Sequence, residues 1–297
     1  MKRLILVVVV ILVLILSITS CTPAPAPAST TEPVPIPTPM SAPTGELIVH
    51  FIDVGQGDAI LIDLDNTEIL IDGGGKSPGV VTYLKDKDYI NDEVLEVMVA
   101  THPHADHIGG LIAVLGEFEV AQIWHNGDKS DSKTYDDFMS AVQSENAEVH
   151  IAQLHDTIQT GNLSLYVHNP SRRFDSINNN SIVLHLAYGN IDFLFTGDAE
   201  KEVEGANMVI SSVRIPEVEI LKVGHHGSRT SSSKDFLTIT SPEIAIYMAK
   251  KGNSYGHPHE ETMEALNKTG AKVYGTDIHG TIVVTTDGKK YEIQLEK

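Results

Sequence analysis

Four metal-competent side chains fall within six residues of this 297-residue chain: His102, His104, Asp106 and His107, in the run T-H-P-H-A-D-H-I-G-G. Neutral imidazoles and a carboxylate suit Zn²⁺, Mn²⁺ or Fe²⁺, and donors this close cannot all reach one ion comfortably, so the spacing favours two adjacent divalent ions. The run follows the apolar stretch Val94 to Ala100, which reads as a buried strand. The end of such a strand is where open α/β sheets place their chemistry. Three more candidates occupy the same kind of position: Asp72 in I-L-I-D-G-G-G, Asp198 in F-L-F-T-G-D-A-E and His225 in L-K-V-G-H-H-G-S. Glycines beside each permit the tight backbone that brings side chains to an ion, although an Asp-Gly after a strand can equally be a turn.

The chemistry these residues suit is metal-assisted hydrolysis, in which a water made acidic by cations attacks phosphorus or a carbonyl carbon. Asp198 or Asp58 would take protons. His226, Ser228 and His257 are placed to meet a phosphate oxygen or a leaving group. His257 and His259 read equally well as a helix start with exposed imidazoles, and Asp53, Gln56 and Asp58 as hydrogen-bonding locks of a loop.

Positioning these side chains requires a particular order of elements. Strands at Leu47 to Asp53, Ala59 to Asp63 and Glu68 to Asp72 predict an antiparallel meander. Helices and strands then alternate: helix Val80 to Lys87, strand Val94 to Ala100, helix His107 to Leu115, strand Val120 to Trp124, helix Tyr135 to Glu145. Strands follow at Leu163 to His168, Ser181 to Tyr188 and Ile191 to Thr196. A helix near Glu200 to Ile210, a strand at Glu219 to Val223, a helix from Ser233 and a strand at Ile244 to Ala249 continue the order, and a helix from His259 with three short strands ends it. Two mixed sheets face to face with helices outside, a four-layer αββα sandwich, would bury this many apolar strands.

The ends of the chain set its expected place. Lys2 and Arg3 precede an apolar run from Leu4 to Leu16, and residues 1–20 read as an export signal. Ile18-Thr19-Ser20-Cys21 resembles the lipobox of bacterial lipoproteins, making the only cysteine, Cys21, a lipid anchor on the extracytoplasmic side of the membrane. Residues 21–45 alternate Pro with Ala, Ser and Thr and read as an extended tether, leaving 46–297 as one domain. That domain carries no cysteine and must rest on its core. A net charge of −19 disfavours a basic nucleic-acid groove, so a polyanionic substrate must rely on a local positive site.

Taken in order, Asp-Gly, H-x-H-x-D-H, Gly-Asp and Gly-His resemble the metallo-β-lactamase-fold hydrolase superfamily over essentially Glu46 to Lys297. The resemblance implies the αββα sandwich. It also implies that His102 and His104 hold one metal, that Asp106, His107 and His225 hold the second, that Asp198 bridges both, and that Asp72 orients the ligands. The superfamily usually supplies one more histidine before the Gly-Asp motif, where this chain has Asn178-Asn179-Asn180-Ser181. The first of the two metals, Zn or Mn, would then be weakly held, with Asn180, Ser181 or His168 reaching in. The segments F-I-D-V-G-Q-G-D-A-I-L-I, N-N-N-S-I-V-L, L-K-V-G-H-H-G-S-R-T-S and Y-G-H-P-H look like the ComEC/Rec2 competence-protein hydrolase domain in its free-standing secreted form. That likeness implies nuclease-type phosphodiester hydrolysis of DNA, with a DNA-uptake channel as a partner. Cell-wall phosphodiesters, lactam, lactone or thioester bonds, and a non-catalytic surface lipoprotein that captures DNA or a partner are the alternatives.

Overall fold

Leu47, Val49 and Phe51 lie two residues apart and so share one face of a strand. In the computed structural model, which describes residues 45–76, 79–86, 89–90, 93–205 and 215–297, all three are fully buried between two sheets. The export signal, Cys21, the tether up to residue 44 and the far part of the helix expected to residue 210 lie outside the described residues.

The first sheet holds β1 (Leu47–Phe51), β2 (Ile60–Asp63), β3 (Glu68–Ile71), β4 (Val94–Ala100), β5 (Glu119–His125) and β6 (Glu148–Ile151), completed by β14 (Ile282–Thr286) and β15 (Tyr291–Leu295). Their order is β15-β14-β1-β2-β3-β4-β5-β6. The meander β1 to β3 is antiparallel, and β3 to β6 run parallel. The second sheet holds β7 (Thr157–Thr160), β8 (Leu163–Asn169), β9 (Val183–Tyr188), β10 (Ile191–Phe195), β11 (Ile220–Lys222), β12 (Ile244–Tyr247) and β13 (Lys272–Gly275), in the order β13-β12-β11-β10-β9-β8-β7. Its strands β10 to β13 are parallel.

Helices cover the outer faces. Behind the first sheet, α1 (Gly79–Asp86), α2 (Ala105–Ile108), α3 (Leu111–Leu115) and α4 (Lys133–Ser144) bury Val80, Leu84, Leu111, Val114 and Phe138 against Leu61, Leu70 and Met98. Behind the second, α5 (Lys201–Val203), α6 (Lys234–Thr240) and α7 (Glu260–Thr269) bury Val203, Phe236, Leu237 and Leu266 against Leu194, Leu221 and Ala245, and α8 (Thr276–His279) follows β13. This is the αββα sandwich. Each such side chain contributes about 1.5–3 kcal/mol by leaving water.

Two departures from the sequence reading have physical causes. The single helix expected from His107 to Leu115 is two, because Gly109 and Gly110 bend the chain onto the turn after β3. A Cβ on Gly110 would lie 1.9 Å from the Gly73 carbonyl oxygen, and the Gly110 amide donates to the Gly74 carbonyl at 3.0 Å. Strands β6 and β7 were not expected, since β6 is an edge strand whose side chains are mostly exposed and carry no alternation.

Candidate metal centre

The carboxyl ends of β3 and β4 in one sheet and of β10 and β11 in the other lie together, and the predicted chemistry-bearing residues follow those ends. Asp72 leaves β3 in the left-handed region, φ 57°. Its carboxylate accepts from the Thr101 amide at 2.8 Å, the Thr101 hydroxyl at 2.7 Å and His107 Nδ1 at 2.7 Å. The Nδ1 proton of His107 is thereby fixed, and its Nε2 lone pair turns inward.

His226 is set the same way. His225 and His226 both occupy left-handed backbone, φ 47° and 54°, a conformation that costs on the order of 1–3 kcal/mol per non-glycine residue. His226 Nδ1 donates to the Met248 carbonyl at 3.0 Å. His107 Nε2 and His226 Nε2 then lie 3.4 and 3.6 Å from Asp198 Oδ2, with Asp106 Oδ2 3.5 Å from His226 Nε2. Both Nε2 atoms and Asp198 Oδ1 are buried without a hydrogen-bond partner among the described residues. Two inward lone pairs and a carboxylate left unpaired in a dry site fit a divalent cation and little else.

A second group adjoins it. His102 Nδ1 lies 3.1 Å from the Thr101 hydroxyl and 3.3 Å from the Ser181 hydroxyl, so Nε2 faces inward, 3.0 Å from His104 Nδ1 and 3.7 Å from Asp198 Oδ2. His102, His104 and Asp198 each offer a donor atom within 4.8 Å of the others. Asp198 thus belongs to both groups.

Electrostatics agree with this arrangement. Burial pushes the His102 and His104 imidazoles below their ordinary range, which favours neutral donors. Burial opposes charge on Asp198 as well, but His226 and His107 hold it well below the carboxylate range. His226 rises to about 9 because Asp198, Asp58 and Asp106 outweigh the burial that opposes its charge. His107 is likewise held well above its ordinary value by Asp198 and Asp72 against burial. The centre favours positive charge, which a divalent ion held by these residues would supply in place of those protons.

Several expected residues sit differently. His226, not His225, joins His107 and Asp106. The His225 imidazole is partly exposed, with Nδ1 3.3 Å from Glu200 Oε1 and 3.0 Å from the Thr230 hydroxyl, and Nε2 3.7 Å from Asp198 Oδ2. Asp58 lies as close as any ligand candidate, but behind the rings: it faces Nδ1 of His226 at 3.2 Å and of His107 at 4.0 Å, and pairs with Lys222. A carboxylate held there, its charge already met by Lys222, is not free to take protons. Asn180 spends its amide on the backbone of Phe174, at 2.8 and 3.0 Å, and offers no oxygen to a metal. The Ser181 hydroxyl accepts from the Asp198 amide at 3.1 Å and so orients two candidate ligands.

His168 is remote, buried beside His185 with ring centroids 5.7 Å apart. Ser228 caps its own turn, accepting from the Thr230 amide and hydroxyl. His257 stands at the mouth, 5.3 Å from the His225 ring, held down to about 4 by burial and neighbouring imidazoles. Gln56 accepts from the Lys250 amide at 3.3 Å, and Asp53 from the Gly55 amide at 3.2 Å, so both lock loops. A Cβ on Gly57, which follows Gln56, would lie 2.0 Å from the Asp106 carbonyl oxygen, which is why that loop can lie on the start of α2. Lys222, Thr101 and Glu200 were missed; for Lys222 the signal was a lysine inside the apolar run Ile220 to Val223.

Comparison with known proteins agrees with this geometry. Residues 52–249 match the family model described as the metallo-beta-lactamase superfamily. ComE operon protein 3 of Bacillus subtilis is 30% identical over 253 residues, covering 79% of this chain and 32% of that protein. Recombination protein 2 of Haemophilus influenzae is 31% identical over 258 residues, covering 86% of this chain and 30% of that one. The chain spans about a third of the length of these relatives. Among solved structures, the metallo-beta-lactamase fold protein YhfI from Bacillus subtilis superposes with a TM-score of 0.56 at 11% identity, covering 82% of this chain and all of that one. By that family match and those relatives, with the sandwich fold and a two-part histidine and aspartate centre at its strand ends, the chain belongs to the metallo-beta-lactamase superfamily.

Proposed function

We propose that this superfamily hydrolase is a metal-dependent phosphodiesterase acting on DNA outside the cell. The observation that carries the reading is the set of unpaired inward donors: Nε2 of His107 and His226 and Oδ1 of Asp198, next to His102 Nε2 and His104 Nδ1. His102, His104 and Asp198 would hold one divalent ion, and Asp106, His107, His226 and Asp198 the other. When bound, such a pair supplies a Lewis acid and a water acidic enough to react at neutral pH. The first group has no third neutral donor among the described residues around it, which favours a weaker, exchangeable site open to Mn²⁺ as well as Zn²⁺.

The chain's own residues do the rest. Asp72 and the Met248 carbonyl fix the tautomers of His107 and His226, and Thr101, whose own proton goes to Asp72, accepts from His102 Nδ1, with the Ser181 hydroxyl beside it. His225, steered by Glu200 and Thr230 at the open side, is the side chain that would meet the leaving oxygen. A relative named for recombination supports DNA as the substrate. The Cys21 lipid anchor and a DNA-uptake channel as partner belong to the same reading.

The test is hydrolysis of single- and double-stranded DNA by the full chain in detergent with Mn²⁺ or Zn²⁺, beside His104→Ala and Asp198→Ala. Cleavage lost in both variants supports the proposal. Metal binding without cleavage of any nucleic acid overturns it and turns attention to cell-wall phosphodiesters and acyl substrates. Incorporation of labelled palmitate into the wild type and not into Cys21→Ala tests the anchor.

A further inference from the structure

A cavity of about 340 Å³ opens beside the metal centre, lined by Lys201, Arg229, Lys234, Ser232, Glu261 and Thr262 among others. In a chain of net charge −19, three cations around one hollow with a single facing carboxylate make a local positive site. Ser232 and Thr262, only 4% and 2% exposed, close its inner side.

The cations are available to it. Lys201 Nζ gives one proton to the Arg229 carbonyl at 2.7 Å and keeps two. Arg229 meets Glu261 only in an exposed pair at 3.5 Å, which contributes little and gives way to a stronger anion. The hollow also shares a wall with the centre. Lys201 follows Glu200, whose carboxylate faces His225, and its amide donates to the Thr230 carbonyl at 2.9 Å, while the Arg229 amide donates to His259 Nδ1 at 3.0 Å.

We propose that this cavity binds a second, non-scissile phosphate of the substrate strand, so that the enzyme prefers oligonucleotides with several phosphates to those with one. The inference rests on the phosphodiesterase reading. Guanidinium and ammonium groups neutralise the phosphate and donate to its oxygens. A local phosphate seat of this kind lets an acidic protein hold a polyanion without a basic groove.

The experiment is fluorescence anisotropy of labelled dithymidylate and tetrathymidylate on the full chain in detergent, with EDTA present, comparing the wild type with Arg229→Ala and Lys234→Ala. The wild type is expected to bind the tetranucleotide at least about tenfold more tightly, and each cation variant to lose most of that advantage. The salt dependence of tetranucleotide binding should also flatten by about 0.7 in log–log slope for each phosphate no longer neutralised. An advantage retained in the variants, or absent from the wild type, overturns the proposal. Hydrolysis is measured separately on bis(p-nitrophenyl) phosphate with Mn²⁺: no turnover there defeats the phosphodiesterase reading, whereas turnover with an unchanged length preference defeats only the second phosphate seat.

Discussion

The ammonium of Lys222 and the carboxylate of Asp58 form an ion pair with side chains no more than 2% exposed, directly behind the imidazoles of His107 and His226. Lys222 also donates to the Gly197 carbonyl at 3.2 Å, one residue before Asp198. The pair therefore ties the Gly55-Gln56-Gly57-Asp58 loop to the strand end that carries Asp198. It also leaves the rear of the centre near neutrality.

Removing one partner strands the other charge in the core. Lys222→Met should lower the unfolding free energy by about 3–5 kcal/mol, and the double variant Lys222→Met with Asp58→Asn should recover more than half of that loss. Urea denaturation of the metal-free chain measures both. A Lys222→Met protein within 1 kcal/mol of the wild type, on the order of a surface pair, would mean that the pair carries no such burden.

The tandem histidines make opposite predictions. His226→Ala removes an inward donor of the buried group and should cut the bound metal from two ions toward one, measured by elemental analysis after gel filtration. His225→Ala should keep both ions and lose turnover by about 10²–10⁴-fold, the range of a positioned proton donor. Metal lost from His225→Ala and kept in His226→Ala would restore the grouping expected from sequence.

That pair of histidines shows where sequence reading stops. Four strand-end motifs were legible because an apolar run followed by a polar turn is visible as a pattern, and the structure brings all four together. Which of two consecutive histidines faces the ion depends on φ 47° and 54° in successive residues, a backbone state that no side-chain pattern encodes. Asn180 and Ser181 are similar: their types allow ligation, but the Phe174 backbone and the Asp198 amide claim them through the fold. The cavity by Lys201, Arg229 and Lys234 gathers residues from α5, the turn after β11 and the start of α6, so no local window displays it.

Ser181→Ala should act on metal without touching it. The hydroxyl accepts from the Asp198 amide and meets His102 Nδ1, so its loss leaves a buried amide unpaired and the His102 ring less well set. Such supporting contacts are worth about 10–100-fold in metal affinity, and about 1–3 kcal/mol in stability when a buried donor is orphaned. Competition with a fluorescent chelator reads the first, and urea denaturation of the apo chain the second. Unchanged affinity would reduce Ser181 to a packing role.

His168 gives a pH prediction away from the centre. Both ring nitrogens are buried without partners among the described residues, and burial, helped by His185 and His155, lowers its pKa from 6.5 to about 3. The unfolded chain thus binds a proton below pH 6.5 that the folded chain refuses until about pH 3, so stability falls as the pH drops through that window. At pH 5 the cost is about 2 kcal/mol, from 1.36 kcal/mol per pH unit. His168→Phe puts a ring with no polar atoms in the same place and should be within about 1 kcal/mol of the wild type at pH 7.5. At pH 5 it should be the more stable protein by roughly 2 kcal/mol relative to that baseline, read from urea midpoints at the two pH values. Parallel pH profiles for the two proteins would show that the folded chain accommodates the protonated ring.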